Sequence, residues 1–487
     1  MKILVVGLDC AAPELLFGDD RLSNFRRLAE GGCYGRLESI IPPITVPAWM
    51  CMATSQDPGS LGVYGFRNRA DYSYDQLRIA QSKSIQELAI WDHVACQGGK
   101  SVIVGVPPNY PPRHVNGISV GCFLTPDPKA EIYTHPAGLK QEIERLLGDY
   151  PVDVKNFRTE KKQWLKDEIY AMSRKHFALV RHLLQTAPWD YFQLVEIGLD
   201  RLHHGFWRFS DPRHVLHEPG NAFQQVIPDY YRYLDDELGS ILELLSEDTV
   251  VLVVSDHGAQ RLDGGFCVNE WLLREGLLTL DEYPKEVTPL GRLKVNWGKT
   301  TAWSEGGYYA RVFLNVRGRE PQGTIDPADY EKVRDEVKAR LEATVDPAGR
   351  RLGTRVFRPE EIYRSVRRIA PDLIVHFGDL LWRSIGGVGY PGLHVRENDS
   401  GPDDCNHAQF GAFILAAPGS PLSGEIQGAS LLDISPTLLE LAGYDVPPSM
   451  QGRSLLAGQG LRAAPEADLT AEDEQILTDR LSGLGYI

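Results

Sequence analysis

The sequence lacks several features that would each identify a particular class of protein. No stretch approaches the roughly 20 apolar residues that a membrane-spanning helix needs, and no two of the seven cysteines form a CxxC pair. Lys and Arg (51) are outnumbered by Asp and Glu (66), so the net charge is −15. This balance argues against a general nucleic-acid binder, which normally carries a basic face. The unpaired cysteines are typical of reduced thiols in the cytosol.

The first apolar run, Ile3–Leu8, is too short for the hydrophobic core of a secretory signal and ends at Asp9. We therefore expect a cytoplasmic protein that binds neither membrane nor nucleic-acid polymer. Its 487 residues suffice for two to three structural units, or for one large domain with insertions. With such an acidic chain, a phosphate-bearing substrate would need a local source of positive charge.

Short β-branched runs alternate with loops and helical segments. Apolar runs without polar alternation are typical of strands buried on both faces of a parallel or mixed sheet. The pattern predicts an α/β fold with ligands at the carboxyl ends of the strands. The candidate strands are Ile3–Leu8, Ser101–Val106, Tyr191–Ile197, Thr249–Val254, Leu373–Phe377 and Gly411–Ala416.

Two segments interrupt this rhythm. Residues 128–185 predict a helical insertion, with helices over Leu139–Leu147 and Gln163–Leu184. Residues 263–370 predict a small α+β cap with a charged helix over Ala328–Ala343. The catalytic core would then comprise 1–127, 186–262 and 371–456, and an acidic helical tail would cover 457–487.

Acidic residues and histidines follow the predicted strands. Asp9 ends the first strand, and Asp256 and His257 follow another. Asp200 and His204 are spaced i, i+4, so on a helix they share one face and can ligate a single metal ion. His203 would point about 100° away and serve a structural role. Turn and capping roles explain each of these residues equally well when it is taken alone.

Two further positions complete the candidate set. His407 precedes the last predicted strand in a polar loop, where it is a possible ligand, with His394 as the rival. Thr45 lies at a predicted helix start close to Pro47, where free N–H groups favour an anion, although a plain N-cap threonine is the commoner case. Three carboxylates, three histidines and a hydroxyl suit divalent ions such as Zn²⁺. Two such ions about 4 Å apart can support an in-line displacement.

This ordered set resembles the alkaline phosphatase superfamily, and within it the type I phosphodiesterase/nucleotide pyrophosphatase branch and its bacterial phosphohydrolase relatives. Pro43–Gly62 is similar to that branch's nucleophile signature, Ser255–Gly258 matches its S-D-H-G, and Leu432–Leu441 with Gly452 is similar to a segment shared with sulfatases. The final Leu-Gly-Tyr also recurs there. The resemblance implies a central mixed sheet flanked by helices.

The resemblance also implies a ligand set. One ion would be held by Asp9, Asp256 and His257, with Thr45 as its fourth ligand, and a second by Asp200, His204 and His407. The ions would be zinc, with manganese as the alternative. The activity implied is hydrolysis of a small phosphoric ester or nucleotide through a phospho-threonine intermediate, with diesters, pyrophosphates and monoesters all open.

The sequence departs from the family pattern at three places. Thr54-Ser55 replaces the usual Thr-Gly, Leu61-Gly62 replaces His-Gly, and Phe66 stands where the diesterases place an asparagine. The neighbours Arg67 and Asn68 are then candidates for substrate binding, and Arg67 suits a phosphate dianion.

Other functions fit the sequence less well. A non-catalytic, metal-stabilised binding protein remains the main alternative, given the departures at Ser55 and Leu61. The sequence around Thr45 lacks the C/S-x-P-x-R motif of sulfatases. A cofactor-independent mutase would usually carry a serine nucleophile. The first strand is not followed by the GxGxxG motif of a dinucleotide-binding oxidoreductase. The aromatic stretch Trp297–Tyr309 could stack on a ligand, but we interpret it as the small core of the cap.

Overall fold

A ten-stranded mixed sheet lies at the centre of the computed structural model, which describes residues 1–457. The five strands around Lys2–Leu8 run parallel, and Phe410–Ala416 runs antiparallel to Thr249–Val254. In spatial order the strands are Gly424–Glu425, Cys33–Glu38, Phe410–Ala416, Thr249–Val254, Lys2–Leu8, Tyr191–Glu196, Ser101–Val104, Gly117–Val120 and Thr134–His135, and Ala429–Ser430 pairs with Cys33–Glu38. The predicted α/β class is confirmed, and the predicted tail lies, apart from Ala457, outside the described residues.

Helices cover both faces of the sheet, because its central strands alternate their side chains between two cores. Leu4, Val6 and Leu8 pack into one core, and Ile3 and Val5 pack into the other. The first core receives the helices Pro13–Phe17, Ser23–Glu30, Leu139–Leu147, Lys162–Thr186, Gly198–Ser210 and Val226–Leu242, and the second receives Thr45–Thr54, Pro58–Leu61, Ile90–Cys96 and Ile434–Ala442.

The two helices of the predicted insertion form over Leu139–Leu147 and Lys162–Thr186, close to the predicted bounds. The longer helix places Leu165, Met172 and Phe177 in the same core as the central sheet. This segment is therefore a layer that packs directly on the sheet. None of the helices within residues 1–457 has the length and apolar character to cross a membrane.

The cap has its own antiparallel sheet and core. Trp303 and Phe313 pack there against the helix Tyr330–Glu342 through Val337 and Leu341. The strand Leu373–His376, which the sequence suggested for the central sheet, pairs here instead. In spatial order this sheet is Ala302–Glu305, Ala310–Leu314, Leu373–His376 and Arg355–Phe357.

Short elements connect the cap to the central sheet. The hairpin Arg67–Arg69 with Leu77–Ile79 and the pair Gly258–Arg261 with Cys405–Ala408 lie next to the candidate site. The remaining strands are Gly264–Cys267, Trp382–Ile385, His394–Val395, Thr288–Pro289 and Gly387–Val388, and the remaining helices are Val268–Arg274 and Pro359–Ile362. Single 3₁₀ turns span Ser82–Ser84, Leu290–Arg292, Trp297–Lys299, Pro327–Asp329 and Leu431–Asp433.

Candidate metal centre

Three neighbouring parallel strands end side by side and bring the predicted acidic residues together. Lys2–Leu8 pairs with Thr249–Val254 on one side and with Tyr191–Glu196 on the other, and all three run in the same direction. Asp9 and Asp256 follow the first two strands, and Asp200 lies in the first turn of the helix after the third. The carboxyl edge of the sheet therefore gathers three carboxylates, all fully or almost fully buried.

The first cluster consists of Asp9, Asp256 and His257, whose candidate ligand atoms lie within 4.8 Å of one another. His257 Nε2 lies 3.7 Å from Asp9 Oδ1 and 3.3 Å from Asp256 Oδ2. Neither carboxylate oxygen has a hydrogen-bond partner among the described residues, although both are buried. Two buried anionic oxygens without donors are costly unless a cation neutralises them, so this cluster fits a divalent ion.

The second cluster consists of Asp200, His204 and His407 within the same 4.8 Å limit. Asp200 Oδ1 lies 3.3 Å from His204 Nε2 and 3.8 Å from His407 Nε2. Its other oxygen accepts a hydrogen bond of 2.5 Å from Arg201 Nη1, so Oδ1 is left for the cluster. Asp200 and His204 share a face of Gly198–Ser210, as the spacing predicts, and His407 lies in the strand Cys405–Ala408.

The other ring nitrogen of each histidine meets an acceptor. His257 Nδ1 lies 3.1 Å from the Gly258 carbonyl oxygen, and His407 Nδ1 lies 2.8 Å from the Pro43 carbonyl oxygen. His204 Nδ1 lies 2.6 Å from Asp403 Oδ1. In His257 and His407 these acceptors take a proton on Nδ1, which leaves the Nε2 lone pair of a neutral ring facing the cluster. An acceptor that holds Nδ1–H is the arrangement that metal-binding histidines need. Although burial by itself lowers it, Asp403 raises the pKa of His204 well above the usual value, so a ligating metal ion would replace the proton on its Nε2.

Burial sets the protonation of the first cluster. Burial, and then repulsion from the other carboxylates, raises the pKa of both Asp9 and Asp256 well above the usual value. Burial also lowers the pKa of His257 to about 4. His257 is therefore neutral near pH 7, and the two carboxylates are stable as anions there only with a nearby positive charge.

Thr45 is the first residue of the helix Thr45–Thr54, as the sequence predicts. Its side chain is buried, and Oγ1 lies 3.2 Å from His257 Nε2. It lines the same cavity as Asp200, His204 and His407. The hydroxyl therefore lies at a helix N-terminus, beside the first cluster and in a cavity shared with the second.

A hydrogen bond from Trp49, which the sequence did not reveal, orients a carboxylate of the first cluster. Trp49, one helical turn after Thr45, donates a hydrogen bond of 2.8 Å to Asp9 Oδ2. A Cβ atom at Gly7 would lie 2.6 Å from the Trp49 ring, so only glycine allows this approach.

Cys10, next to Asp9, adopts a left-handed backbone conformation (φ 68°), a strain typical of functional sites. Its carbonyl oxygen lies 3.1 Å from Nδ1 of His203, which belongs to neither cluster.

Asp403, which the sequence also did not reveal, supports the second cluster. Its carboxylate contacts His204 Nδ1 at 2.6 Å, Arg158 Nε at 3.0 Å, the Tyr308 hydroxyl at 3.2 Å and Arg383 Nη1 at 3.4 Å. Although burial by itself raises it, these cationic neighbours hold the pKa of Asp403 well below its usual range. A carboxylate behind a ligating histidine fixes its orientation, so Asp403 positions His204.

The cavity lined by Thr45 and the second cluster has a volume of about 300 Å³. Its lining includes apolar side chains such as Phe66 and Phe123 together with five arginines: Arg67, Arg158, Arg201, Arg311 and Arg383. The sequence predicted a need for local positive charge and pointed to Arg67, and the structure adds the other four arginines. They come from distant segments, so no local sequence pattern could reveal their convergence.

The other sequence candidates are distributed differently. Arg67 lines the cavity with a half-exposed side chain. Asn68 does not line it, and both its amide atoms bond to the backbone of its own turn, at Tyr64 and Gly65. His394 lies in the cap-side strand His394–Val395 and bonds to the Val345 carbonyl, outside both clusters. Of the aromatic stretch, Trp303 belongs to the cap core, as interpreted, whereas Tyr308 lies over His204 and His407.

Two of the three departures from the family pattern, Ser55 and Leu61, lie away from the clusters. Ser55 ends the helix of Thr45 in the left-handed conformation (φ 51°) that favours glycine, and its hydroxyl donates to the Leu432 carbonyl at 2.7 Å. Leu61 is buried in the second core. Both departures are thus accommodated as structure, and neither removes a side chain from the clusters.

A family model described as "Type I phosphodiesterase / nucleotide pyrophosphatase" matches residues 3–403. The match includes the residues of both clusters except His407. No curated protein compared with the chain matches it.

Solved structures show the same fold at low sequence identity. Murine ectonucleotide pyrophosphatase/phosphodiesterase 5 shares 14% identity with a TM-score of 0.51, over 92% of this chain and 96% of that chain. An inactive threonine-to-alanine form of it in complex with AMP gives the same values. Phosphonoacetate hydrolase from Sinorhizobium meliloti, in complex with phosphonoformate, shares 16% identity with a TM-score of 0.56, over 90% and 95% of the two chains.

Proposed function

Since the chain belongs to the type I phosphodiesterase/nucleotide pyrophosphatase family and is therefore a phosphoric ester hydrolase, we propose that it hydrolyses a small phosphoric ester through a phosphorylated Thr45. The substrate would be a phosphodiester, a nucleotide pyrophosphate or a phosphomonoester. Binding sites for two divalent ions, most simply zinc with manganese as the alternative, would be formed by the two clusters.

One observation carries this proposal. A buried hydroxyl at a helix N-terminus lies 3.2 Å from a ligand atom of the first cluster and lines one cavity with the second. Unpaired buried carboxylate oxygens and neutral histidines next to it form a donor set of mixed oxygen and nitrogen, which suits zinc. A hydroxyl in this place is suited to attack an electrophile that is held by cations.

In the proposed reaction, Thr45 Oγ1 forms a bond to phosphorus, loses its proton, and displaces the leaving alcohol or phosphate. Water then attacks the phosphothreonine, which restores the hydroxyl and releases the phosphoryl product. Arg158, Arg201 and Arg311 of the cavity hold the phosphoryl oxygens and orient the ester for in-line attack. Bound divalent ions would supply the charge stabilisation that activates such an oxygen near neutral pH.

The family context supports the role of the threonine. In the murine relative, a threonine-to-alanine form is inactive and was solved with AMP. We propose that Thr45 plays the corresponding part here and that the partner is a small phosphorylated molecule.

Replacing Thr45 tests the nucleophile directly. We expect Thr45→Ala to abolish turnover of p-nitrophenyl phosphate and bis-p-nitrophenyl phosphate, assayed with added Zn²⁺ or Mn²⁺, while the bound metal content persists. Rapid acid quench of the unchanged protein during turnover, followed by peptide mass spectrometry, should locate one phosphoryl group on Thr45.

Thr54→Ala is the matched control, since Thr54 is buried in the same helix and bonds only to the Met50 carbonyl. It should retain turnover. Full activity of Thr45→Ala would remove Thr45 from the nucleophile role. If the unchanged protein binds two metal ions but hydrolyses no member of a broad phosphoester panel, the alternative of a non-catalytic binding protein would be favoured.

A further inference from the structure

A second, larger cavity adjoins the catalytic cavity beneath the cap. Its volume is about 900 Å³, against about 300 Å³ for the cavity of Thr45. Four residues line both cavities, and we call them the neck: Arg67, Gly306, Gly307 and Arg383. The two cavities therefore meet at the neck, and both volumes are of the size that ligand sites have.

The space at the neck is narrow because two backbone segments, one at Gly306 and the other at Ser384–Gly386, lie in close contact there. A Cβ atom at Gly306 would lie 2.5 Å from the Gly386 nitrogen and 2.8 Å from the Ser384 carbonyl oxygen. Glycine is therefore required for this approach, and the wall of the neck is formed by backbone with two arginine side chains beside it.

Two arginine side chains, Arg67 and Arg383, line the neck, and no carboxylate lines both cavities. Glu305 Oε2 lies 3.9 Å from Arg67 Nη2 and also 3.9 Å from Arg311 Nη2, so two guanidinium groups share one carboxylate at long range. Arg311 also donates to the Arg67 carbonyl, whereas the Arg67 guanidinium makes no hydrogen bond among the described residues, so its donor positions are open to a ligand.

Arg383 provides the second observation. Its side chain is only 10% exposed, and its buried Nε has no hydrogen-bond partner among the described residues. Its terminal nitrogens contact Ser400 Oγ at 3.2 Å, Asp403 at 3.4 Å and Asp399 at 3.6 Å. A buried donor without an acceptor is destabilising, and Arg383 lines both cavities, so an anionic ligand oxygen at the neck would add an acceptor for a guanidinium whose donors are not all satisfied.

Beyond the neck the cap cavity has an aromatic wall. Trp297 stacks on Tyr74 with ring centroids 3.7 Å apart and planes 2° apart, and both side chains are partly exposed. Leu290 and Tyr390 also line this cavity. This region offers apolar contact to the part of a ligand that passes the neck.

From these observations we infer that the substrate carries a second anionic group, which Arg67 and Arg383 bind at the neck, and that the remainder of the molecule extends into the cap cavity. The inference rests on the proposed hydrolysis at Thr45 and specifies its substrate class. Arg67 thus binds the second anionic group, which we call the far group of the substrate. The transferred phosphoryl group is bound by the arginines deeper in the cavity.

Aryl phosphates that differ only in the far group test this inference. Phenyl phosphates with a para carboxylate on spacers of increasing length are compared with their carboxamides at constant ionic strength, both as monoesters and as methyl diesters. We expect kcat/KM for at least one carboxylate to exceed that of its carboxamide by about tenfold or more, the size of one charge-assisted contact. Arg67→Gln should remove most of this ratio.

Arg78→Gln is the matched control, because Arg78 lies opposite Asn68 on the same hairpin and lines neither cavity. It should keep the full ratio. Equal rates for carboxylates and carboxamides in the unchanged protein, or an undiminished ratio in Arg67→Gln, would overturn the inference while hydrolysis itself stands. Failure to hydrolyse any of the esters would instead count against the proposed function.

Discussion

At the scale of the residue, the indole of Trp49 connects the helix Thr45–Thr54 to the first cluster. It donates to Asp9 Oδ2, which leaves Oδ1 without a partner and facing His257. A hydrogen bond to the second oxygen of a ligating carboxylate fixes its orientation, and loss of such support typically costs about 10- to 100-fold in metal affinity.

We therefore expect Trp49→Phe, which keeps the ring but removes the donor, to lower the affinity for one of the two metal ions by about 10- to 100-fold. Competition with a zinc indicator measures this affinity directly.

Trp91→Phe provides the comparison. Trp91 is buried in the same core, and its indole nitrogen has no hydrogen-bond partner among the described residues. This variant should bind metal as the unchanged protein does. Equal metal affinity in the two variants would show that the Trp49 contact does not support the site.

At the scale of the element, the helix Lys162–Thr186 is joined to the central sheet by a buried ion pair. His176 Nδ1 lies 3.0 Å from Oε2 of Glu196, at the end of the strand Tyr191–Glu196. Although burial by itself lowers it, Glu196 raises the pKa of His176 above 6.5. Although burial by itself raises it, His176 lowers the pKa of Glu196 below 4.5.

The sign of the pH dependence follows from these two shifts. The raised pKa of His176 gives stability that is complete below pH 6.5 and is lost as pH rises through that pKa. The lowered pKa of Glu196 gives stability that is complete above pH 4.5 and is lost as pH falls through that pKa. The ion pair therefore stabilises the fold most between pH 4.5 and 6.5.

Removing one partner leaves the other charge buried, which typically costs about 3–5 kcal/mol. We expect His176→Asn to lower the free energy of unfolding by about this amount at about pH 5.5 and by less at about pH 9. Denaturant titration of both proteins at the two pH values measures the difference.

His182→Asn on the same helix is the control. His182 pairs with Glu142 at 2.7 Å, but both side chains are partly exposed. Its replacement should cost less than about 1 kcal/mol. A loss for His176→Asn that is equally small, or that is greater at alkaline pH, would contradict this account of the ion pair.

Elements were predictable from sequence where a local pattern sets them. Leu139–Leu147 has the predicted bounds, and Asp200 and His204 share one face of the helix Gly198–Ser210, as their spacing predicts for a helix. The strand Leu373–His376 was predicted as a strand but assigned to the wrong sheet, because a buried apolar run does not specify its partner. Ser55 could not be interpreted from sequence, since its left-handed conformation is known only from the structure.

At the scale of the whole molecule, an acidic chain encloses a basic cavity. The net charge of −15 belongs to the chain as a whole, whereas five arginines line the cavity of Thr45 and the second cluster. Most candidate ligands were predictable because each follows a strand or lies on a helix face, whereas His407 lies within the strand Cys405–Ala408, where a polar loop was predicted. Apart from Arg67, the arginines and Asp403 were not predictable, because they come from segments such as those of Arg158 and Arg383 that only the folded chain brings together.

The cap contributes to the site through Tyr308. Its ring lies 4.4 Å from that of His407 and 5.0 Å from that of His204, measured between centroids. Its hydroxyl contacts Asp403, which also holds His204. The cap and the central sheet therefore form one wall around the second cluster.

Anomalous diffraction at the zinc edge from crystals of the full chain equilibrated with Zn²⁺ is the most direct test of the two-metal site. The account predicts two strong peaks, one within coordination distance of Asp9, Asp256 and His257 and the other of Asp200, His204 and His407. No peak at either cluster, or a strong site elsewhere with both clusters empty, would contradict it.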